Sequence, residues 1–183
     1  MRKKHLLATT IGLLVVVFSY AIAHHPIQTL VQAPPSGAGT QTVYTTPAAT
    51  KAGGCAAAND LPDLACTPGA VIATATKAQV CVSGYSSTVR NVPVSEKDSV
   101  YAEYGIPSHA PGEYEVDHLI SLELGGSNDI ANLWPEASSP TPGFHQKDAF
   151  ENKLHSEVCA GTISLGEAQK EIATNWLQYY TAL

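Results

Sequence analysis

Four cysteines, Cys55, Cys66, Cys81 and Cys159, constrain this chain more than any other feature. No Cys-x-x-Cys pair occurs among them, the spacing from which most cysteine zinc sites are built. An even count in an oxidising compartment favours two disulfides, for which three pairings exist. Cys81 sits in an apolar stretch (Val80-Cys81-Val82), and Cys159 lies at the end of an expected helix that begins near His145. Those positions favour Cys81–Cys159 across the domain and Cys55–Cys66 across a short, turn-rich loop.

The N-terminus supplies the compartment. Arg2, Lys3 and Lys4 precede an apolar run from Ile11 to Phe18, and Ala21-Ile22-Ala23 closes it with small residues at the outer positions. This is the layout of a cleaved export signal over residues 1–23. An uncleaved anchor is the competing reading, and Thr9, Thr10 and Ser19 weaken it as a membrane span. A secreted or periplasmic protein without stable membrane association follows, and a monomer is expected. Removing the signal leaves seven Lys and Arg against sixteen Asp and Glu, a formal charge of −9. Binding to nucleic acid is driven largely by phosphate neutralisation, so this balance opposes a strong non-specific hold on such a partner.

Residues 24–54 are rich in Pro, Thr, Ala and Gly and lack periodic apolar positions, as in a disordered linker. The folded domain is expected over 55–183. Val80 to Val94 is β-branched and punctuated by turn residues, which suggests short extended segments. Glu96–Tyr104 reads as a short helix opened by Ser95 and closed at Gly105. Glu113 to Leu124 reads as a strand entering a loop at Gly125-Gly126, and Leu133-Trp134 as a second strand. Phe150, Leu154 and Val158 recur every four residues in a helix over 144–158, with Gly161 as its stop. Ser164-Leu-Gly-Glu167 is a capping box, and Leu165, Ala168, Ile172, Trp176 and Tyr179 form one apolar stripe behind it. The fold class is α+β.

The chemistry concentrates in Glu115-Val-Asp-His118 and in the stretch that follows it through Pro135-Glu136 and Phe144-His-Gln-Lys147. Cutting a phosphodiester requires a base for water, a cation for the phosphate and leaving oxygen, and a group to orient the base. Asp117 offers a hard oxygen ligand, and His118 a base that titrates near neutrality. Adjacent residues of a strand point to opposite faces, so the two could serve different roles. Asn132 could orient the imidazole, and His145, at a helix start, could close a metal site.

Asp117-His118-Leu119-Ile120, Gly125-Gly126-Ser127-Asn128-Asp129, Asn132-Leu133 and a histidine at a helix start followed by Lys147 together resemble the HNH endonucleases. The likeness extends to small exported bacterial members with Trp-Pro after the asparagine. Cys66-Thr-Pro-Gly69, Gly84-Tyr85, Arg90, Val158-Cys-Ala-Gly161 and Ala168-Gln169 belong to it as well. The resemblance covers roughly residues 61–180. It implies a ββα-metal (His-Me finger) hairpin-plus-helix core with additional helices, stapled by disulfides. It also implies catalytic His118 and Asn132, metal ligands Asp117 and His145, and a nuclease acting on DNA, with RNA left open as a further substrate, and with little sequence specificity. Mg²⁺ is the cation it implies; Mn²⁺, Ni²⁺ and Zn²⁺ also suit a histidine nitrogen. Arg90 and Lys147 are the candidate substrate contacts, with Lys153 behind them. The chain departs from many members in lacking Cys-x-x-Cys knuckles and in a proline-rich stretch (Pro135, Pro140, Pro142), which makes Asn152 the fallback for the third motif position.

Each residue also has a plainer reading. A lone Asp-His pair is usually hydrogen-bonded surface, Asn132 alone would be a turn residue, and His155 and the isolated cations read as solvated surface. Trp134 reads as core rather than as a base-stacking platform. Two rival functions remain beside the nuclease. One is an exported, disulfide-stapled binding module with a non-catalytic HNH-like site, which the acidic charge favours. The other is a zinc hydrolase of cell-wall or peptide substrates, which lacks a His-Glu-x-x-His helix.

Overall fold

The computed structural model describes residues 44–181; the expected signal over 1–23 and the linker up to residue 43 lie outside the described residues. No helix among the described residues is long and apolar enough to cross a membrane. The chain forms helices α1 (Lys77–Val80), α2 (Tyr85–Val89) and α3 (Val94–Glu103), then strands β1 (Tyr114–His118) and β2 (Leu133–Ala137). Helices α4 (Phe144–Ala160) and α5 (Leu165–Tyr180) complete the α+β arrangement. Residues 44–54 adopt neither helix nor strand, but they lie against the domain. Tyr44 N–H reaches Gln169 Oε1 at 3.3 Å, and the N–H groups of Thr50 and Lys51 both donate to Ala65 O.

Of the span Val80–Val94, expected as short extended segments, Val80 and Tyr85–Val89 are helical and 81–84 form turns, whereas Arg90 and Pro93 keep extended backbone. Thr76 and Gln79 form a capping box that winds α1, and Gly84, at φ +80°, turns the chain into α2. Local hydrogen bonding there overrides the β-branched composition. Helix α3 begins at Val94 with Pro93 before it, slightly ahead of Ser95. The Ser164 capping box forms as expected, with Glu167 N–H donating to Ser164 Oγ and Ser164 N–H to Glu167 Oε2. Its apolar stripe is buried at Leu165, Ala168, Ile172 and Trp176, against Phe150, Leu154 and Val158 of α4. Asn175 (φ −169°) interrupts the helical geometry of α5, and its side chain accepts from Gln178 N–H to restart the last turn.

β1 and β2 pair antiparallel, with Glu115 opposite Glu136, Asp117 opposite Trp134 and His118 opposite Leu133. The strand expected to run to Leu124 ends at His118. Beyond it the chain bends, makes 3-10 turns at Leu122–Leu124 and Ile130–Asn132, and returns as β2. Gly126 permits the fold-back: a Cβ there would lie 1.8 Å from Ile120 O. Asn132, fully buried, staples the loop. Its Oδ1 accepts from the N–H groups of Ile120 (2.9 Å) and Ala70 (3.2 Å), and its Nδ2 donates to Ile120 O (3.0 Å) and Ser127 O (2.8 Å).

The cysteines pair as Cys55–Cys66 and Cys81–Cys159, the expected connectivity. The first bond is buried in a small core with Tyr104, Leu119 and Trp134. The second joins the segment after α1 to the end of α4 beside the larger core.

Asn132→Ala removes partners from four backbone groups in one buried loop. Unmade buried hydrogen bonds cost about 1–3 kcal/mol each, and partial relaxation should hold the total near 2–4 kcal/mol. Urea denaturation should show a lower midpoint at an unchanged slope. A loss below about 0.5 kcal/mol, the scale of an ordinary surface substitution, would show that the loop does not depend on this side chain.

Candidate active site

The end of β1 and the first two turns of α4 meet at Lys147. This side chain is fully buried, and its Nζ donates to Asp117 Oδ2 at 2.5 Å, to His118 O at 2.8 Å and to Glu151 Oε1. Burial alone would strip its proton, but the charges of Asp117, Glu151 and Glu136 hold the ammonium protonated well above the usual lysine range. Burial pushes the Asp117 carboxyl up as well, yet Lys147 wins and holds it below the ordinary aspartate value. Lys147 therefore joins strand to helix rather than contacting substrate, a correction to its expected role.

His118 is buried too, at 2% exposure. Its Nε2 lies 3.2 Å from Asn128 Oδ1. That oxygen also accepts from Asn91 N–H (3.1 Å), while the Asn128 amide nitrogen donates to Val89 O (2.8 Å). With the amide so oriented, Nε2 must carry the hydrogen, which leaves Nδ1 as the basic nitrogen. Burial holds the imidazole below its ordinary pKa, against the opposing pull of Asp117 and the Asn128 hydrogen bond. The bond expected between Asn132 and His118 is not formed. Asn128 makes it, because the loop folds back and uses Asn132 for its own backbone.

Beside Asp117 lies a cavity of about 470 Å³, bounded by Arg90 and Lys97 on one side and by Glu115, Asp117, Asp148 and Glu151 on the other. The imidazole of His118 is not among its lining groups. Glu115 is pushed up to about 7, first by burial and then by the charges of Asp117 and Asp148; Lys147 and Arg90 oppose this. Glu151 is also raised to about 7, chiefly by burial, and Asp148 is raised for the same reasons. Glu136, opposite Glu115 in the hairpin, is fully buried, no donor reaches either carboxyl oxygen, and its own proton hydrogen-bonds to Asp117. Burial, opposed by Lys147 but reinforced by Asp117 and Glu151, lifts it to about 10.

His145 occupies the first turn of α4 but is exposed, with its ring edge-on to Phe144 at 4.4 Å. It opposes the upward shift of Asp148, three residues further along the helix. Asn152 is exposed and bonded to Asp148 O, so nothing draws it toward Asp117. Arg90 is exposed at the cavity wall, whereas Lys153 pairs with Glu157 at 2.7 Å. Trp134 is core. His155 is half-buried rather than surface, with Nε2 at 2.9 Å from Val80 O. Among the described residues, one group of His, Cys, Asp and Glu has three ligand atoms mutually within 4.8 Å. It is Cys81, His155 and Cys159, whose two sulfurs are joined. Asp117 and His145 are not brought into such a group.

Glu115, Asp148 and Glu151 escaped the motif, although spacing carried a signal for each. Glu115 shares a strand face with Asp117, Asp148 follows His145 by three residues, and Glu151 follows Lys147 by four. Comparison of the chain with protein-family models, curated proteins and solved structures returns no match.

Glu136 gives a direct test of these electrostatics. Its folded pKa near 10 lies far above the unfolded carboxyl value, so folding above pH 4.5 takes up a proton. The associated stability is complete in acid and is lost progressively as pH rises toward 10. Glu136→Gln, neutral at every pH, should therefore raise stability at pH 8 by on the order of 1–3 kcal/mol. The gain should vanish near pH 4. A melting-temperature difference independent of pH would show that Glu136 is not held protonated.

Proposed function

We propose that this chain is an exported, metal-dependent endonuclease that hydrolyses phosphodiester bonds of nucleic acid, DNA foremost, with little sequence preference. The observation that carries the reading is the fixed tautomer of His118. The neutral imidazole has Nε2–H tied to Asn128 and Nδ1 left as a base, directly after a carboxylate on a hairpin packed against a helix. A ββα-metal core accounts for that order of strand, strand and helix, and export accounts for two disulfides.

A divalent cation suits the donor set. The cavity wall offers hard carboxylate oxygens, and Glu115 and Asp148 are raised by burial first and then by neighbouring carboxylate charge, both of which a bound cation would offset. Asp117 and Asp148 would supply carboxylate oxygens to the ion, and His145, exposed on the first turn of α4, would have to move to join them. A bound cation there supplies Lewis-acid stabilisation of charge on the phosphate. The chain's own residues do the rest. Arg90 and Lys97 receive the phosphate. Nδ1 of His118 takes a proton from water, the resulting hydroxide attacks phosphorus in line, and the bond to the 3′ oxygen breaks.

The burial of His118 and the pinning of Asp117 by Lys147 favour a second reading, a disulfide-stapled binding module with a non-catalytic HNH-like site. Supercoiled plasmid separates the two. The nuclease should nick it in Mg²⁺ or Mn²⁺ and stop when EDTA is added. His118→Ala should fall by about 10²–10⁴-fold while melting within a few degrees of the parent. Because the base works unprotonated and its pKa is lowered, the acid limb of kcat/KM should lie below pH 6.5. Plasmid left intact in every metal, by protein that still melts cooperatively, would leave the binding module.

A further inference from the structure

The Cys81–Cys159 bond differs from its partner in one respect: an imidazole stands against it. His155 precedes Cys159 by one helical turn on α4, so both side chains leave the same face. Its Nε2 lies 3.5 Å from Cys159 Sγ and 2.9 Å from Val80 O, the carbonyl just before Cys81. The two sulfurs and the imidazole nitrogen all fall within 4.8 Å of one another, and none of the three residues is fully buried. Cys55 and Cys66, by contrast, are only 6% and 3% exposed and belong to no such group among the described residues.

We propose that Cys81, His155 and Cys159 form a latent zinc site, closed by the disulfide and opened by its reduction. Two thiolates and an imidazole are the donors that select Zn²⁺ over the hard cations preferred by carboxylates. Their preorganisation does not depend on the bond. Val80, immediately before Cys81, is buried in the same core as Leu154 and Val158, which flank His155 and precede Cys159. The segment after α1 and the end of α4 therefore stay adjacent when the sulfurs part.

The chemistry balances with one external dithiol. Its two thiols are oxidised to a disulfide while the protein's disulfide gains two electrons and two protons, giving two cysteine thiols. Zn²⁺ then displaces both thiol protons. The imidazole shifts its own proton from Nε2 to Nδ1 to free the nitrogen that faces the sulfurs, and Val80 O gives up that donor. Two thiolates cancel the metal's charge, so a neutral cluster forms in this half-buried setting at a small desolvation cost. The inference is independent of the nuclease reading and uses none of its residues.

Cobalt reports such a site directly through thiolate-to-metal charge-transfer absorption. The full chain is reduced with a phosphine, freed of reagent by gel filtration without oxygen, and titrated with Co²⁺ and then Zn²⁺. Alkylation and mass spectrometry identify which cysteines were opened. The reduced protein should gain one equivalent of Co²⁺ with thiolate charge-transfer and tetrahedral d–d bands that Zn²⁺ abolishes, and the oxidised protein should show neither set of bands, whatever its carboxylates bind. Cys81→Ser with Cys159→Ser should remove the bands. His155→Ala should weaken binding by at least about tenfold, the smallest loss expected even for an outer-shell change, while the oxidised variant keeps the parent's circular dichroism. Absence of charge-transfer bands in the reduced protein, or equal affinity in His155→Ala, would overturn the site. So would a reduced chain that loses its helical signal and does not regain it with metal.

Discussion

A single buried ammonium sets the geometry of this domain. Lys147 brings three acceptors to one point: Asp117 Oδ2 and His118 O at the end of β1, and Glu151 Oε1 within its own helix. Removing water from a lysine is expensive, and a buried pair repays that cost only when the geometry is good and the remaining protons are satisfied. Here all three N–H groups have partners. Losing one member of such an arrangement costs about 3–5 kcal/mol, because the charge left behind has nowhere to go. The strand end and helix are thus locked together by charge as well as by apolar packing.

The same ammonium is outnumbered. Around it stand Glu115, Asp117, Glu136, Asp148 and Glu151, and the burden of the unneutralised charge falls unevenly. Asp117, in direct contact, ionises readily. Glu136, on the same hairpin face as Glu115 and Asp117 and reached by no donor, keeps its proton and donates it in a hydrogen bond to Asp117. Glu115 and Glu151 sit near the middle of the pH scale, where a change in nearby charge shifts their ionisation most. A cation entering the cavity would relieve this crowding, and an unaccompanied phosphate would worsen it. The acidic balance of the whole chain and the acidic lining of the cavity therefore act in the same direction, against an unaccompanied anion.

Periodicity made the helices and the pairing of the cysteines legible. Phe150, Leu154 and Val158 defined α4, and the Ser164 box defined the start of α5. The same stripe also contained the answer that was missed at Lys147. Counting back three residues from Phe150 lands on Lys147, so a position taken as a surface cation lies on the buried face. The acids that keep this cation charged in the interior are Glu151 on the same helix and Asp117 and Glu136 on the hairpin, and the hairpin pair is brought to it only by the fold. Val80–Val94 was misread for a different reason, since β-branched composition is a weak preference and a capping box is a specific set of hydrogen bonds. The exchange of Asn128 for Asn132 had no signal in the chain order. Both asparagines follow Gly125-Gly126, and only the fold-back of residues 119–132 determines which one meets the imidazole.

That fold-back also explains why His118 can be held so firmly by so small a sheet. Immediately after it, Leu119 turns into the core of Trp134, Tyr104 and the Cys55–Cys66 bond, while Ile120 turns into the core of α4 and α5. The bend beyond His118 sends these two neighbouring side chains apart, so this one stretch is anchored in two cores at once. Asn132 then closes the loop on the backbone of Ile120, and Lys147 takes the carbonyl of His118 itself. Two antiparallel strands alone are marginally stable in water. The rigidity of the site therefore comes from the cores on either side of the hairpin, and each has its own disulfide: one buried within the smaller core, the other closing a separation of 78 residues beside the larger. In the chain-entropy description that longer closure contributes about 4 kcal/mol, most of it by limiting the unfolded chain. His118 and Asp117 thus stand where two separately stapled cores meet, which fixes their relation on an otherwise small scaffold.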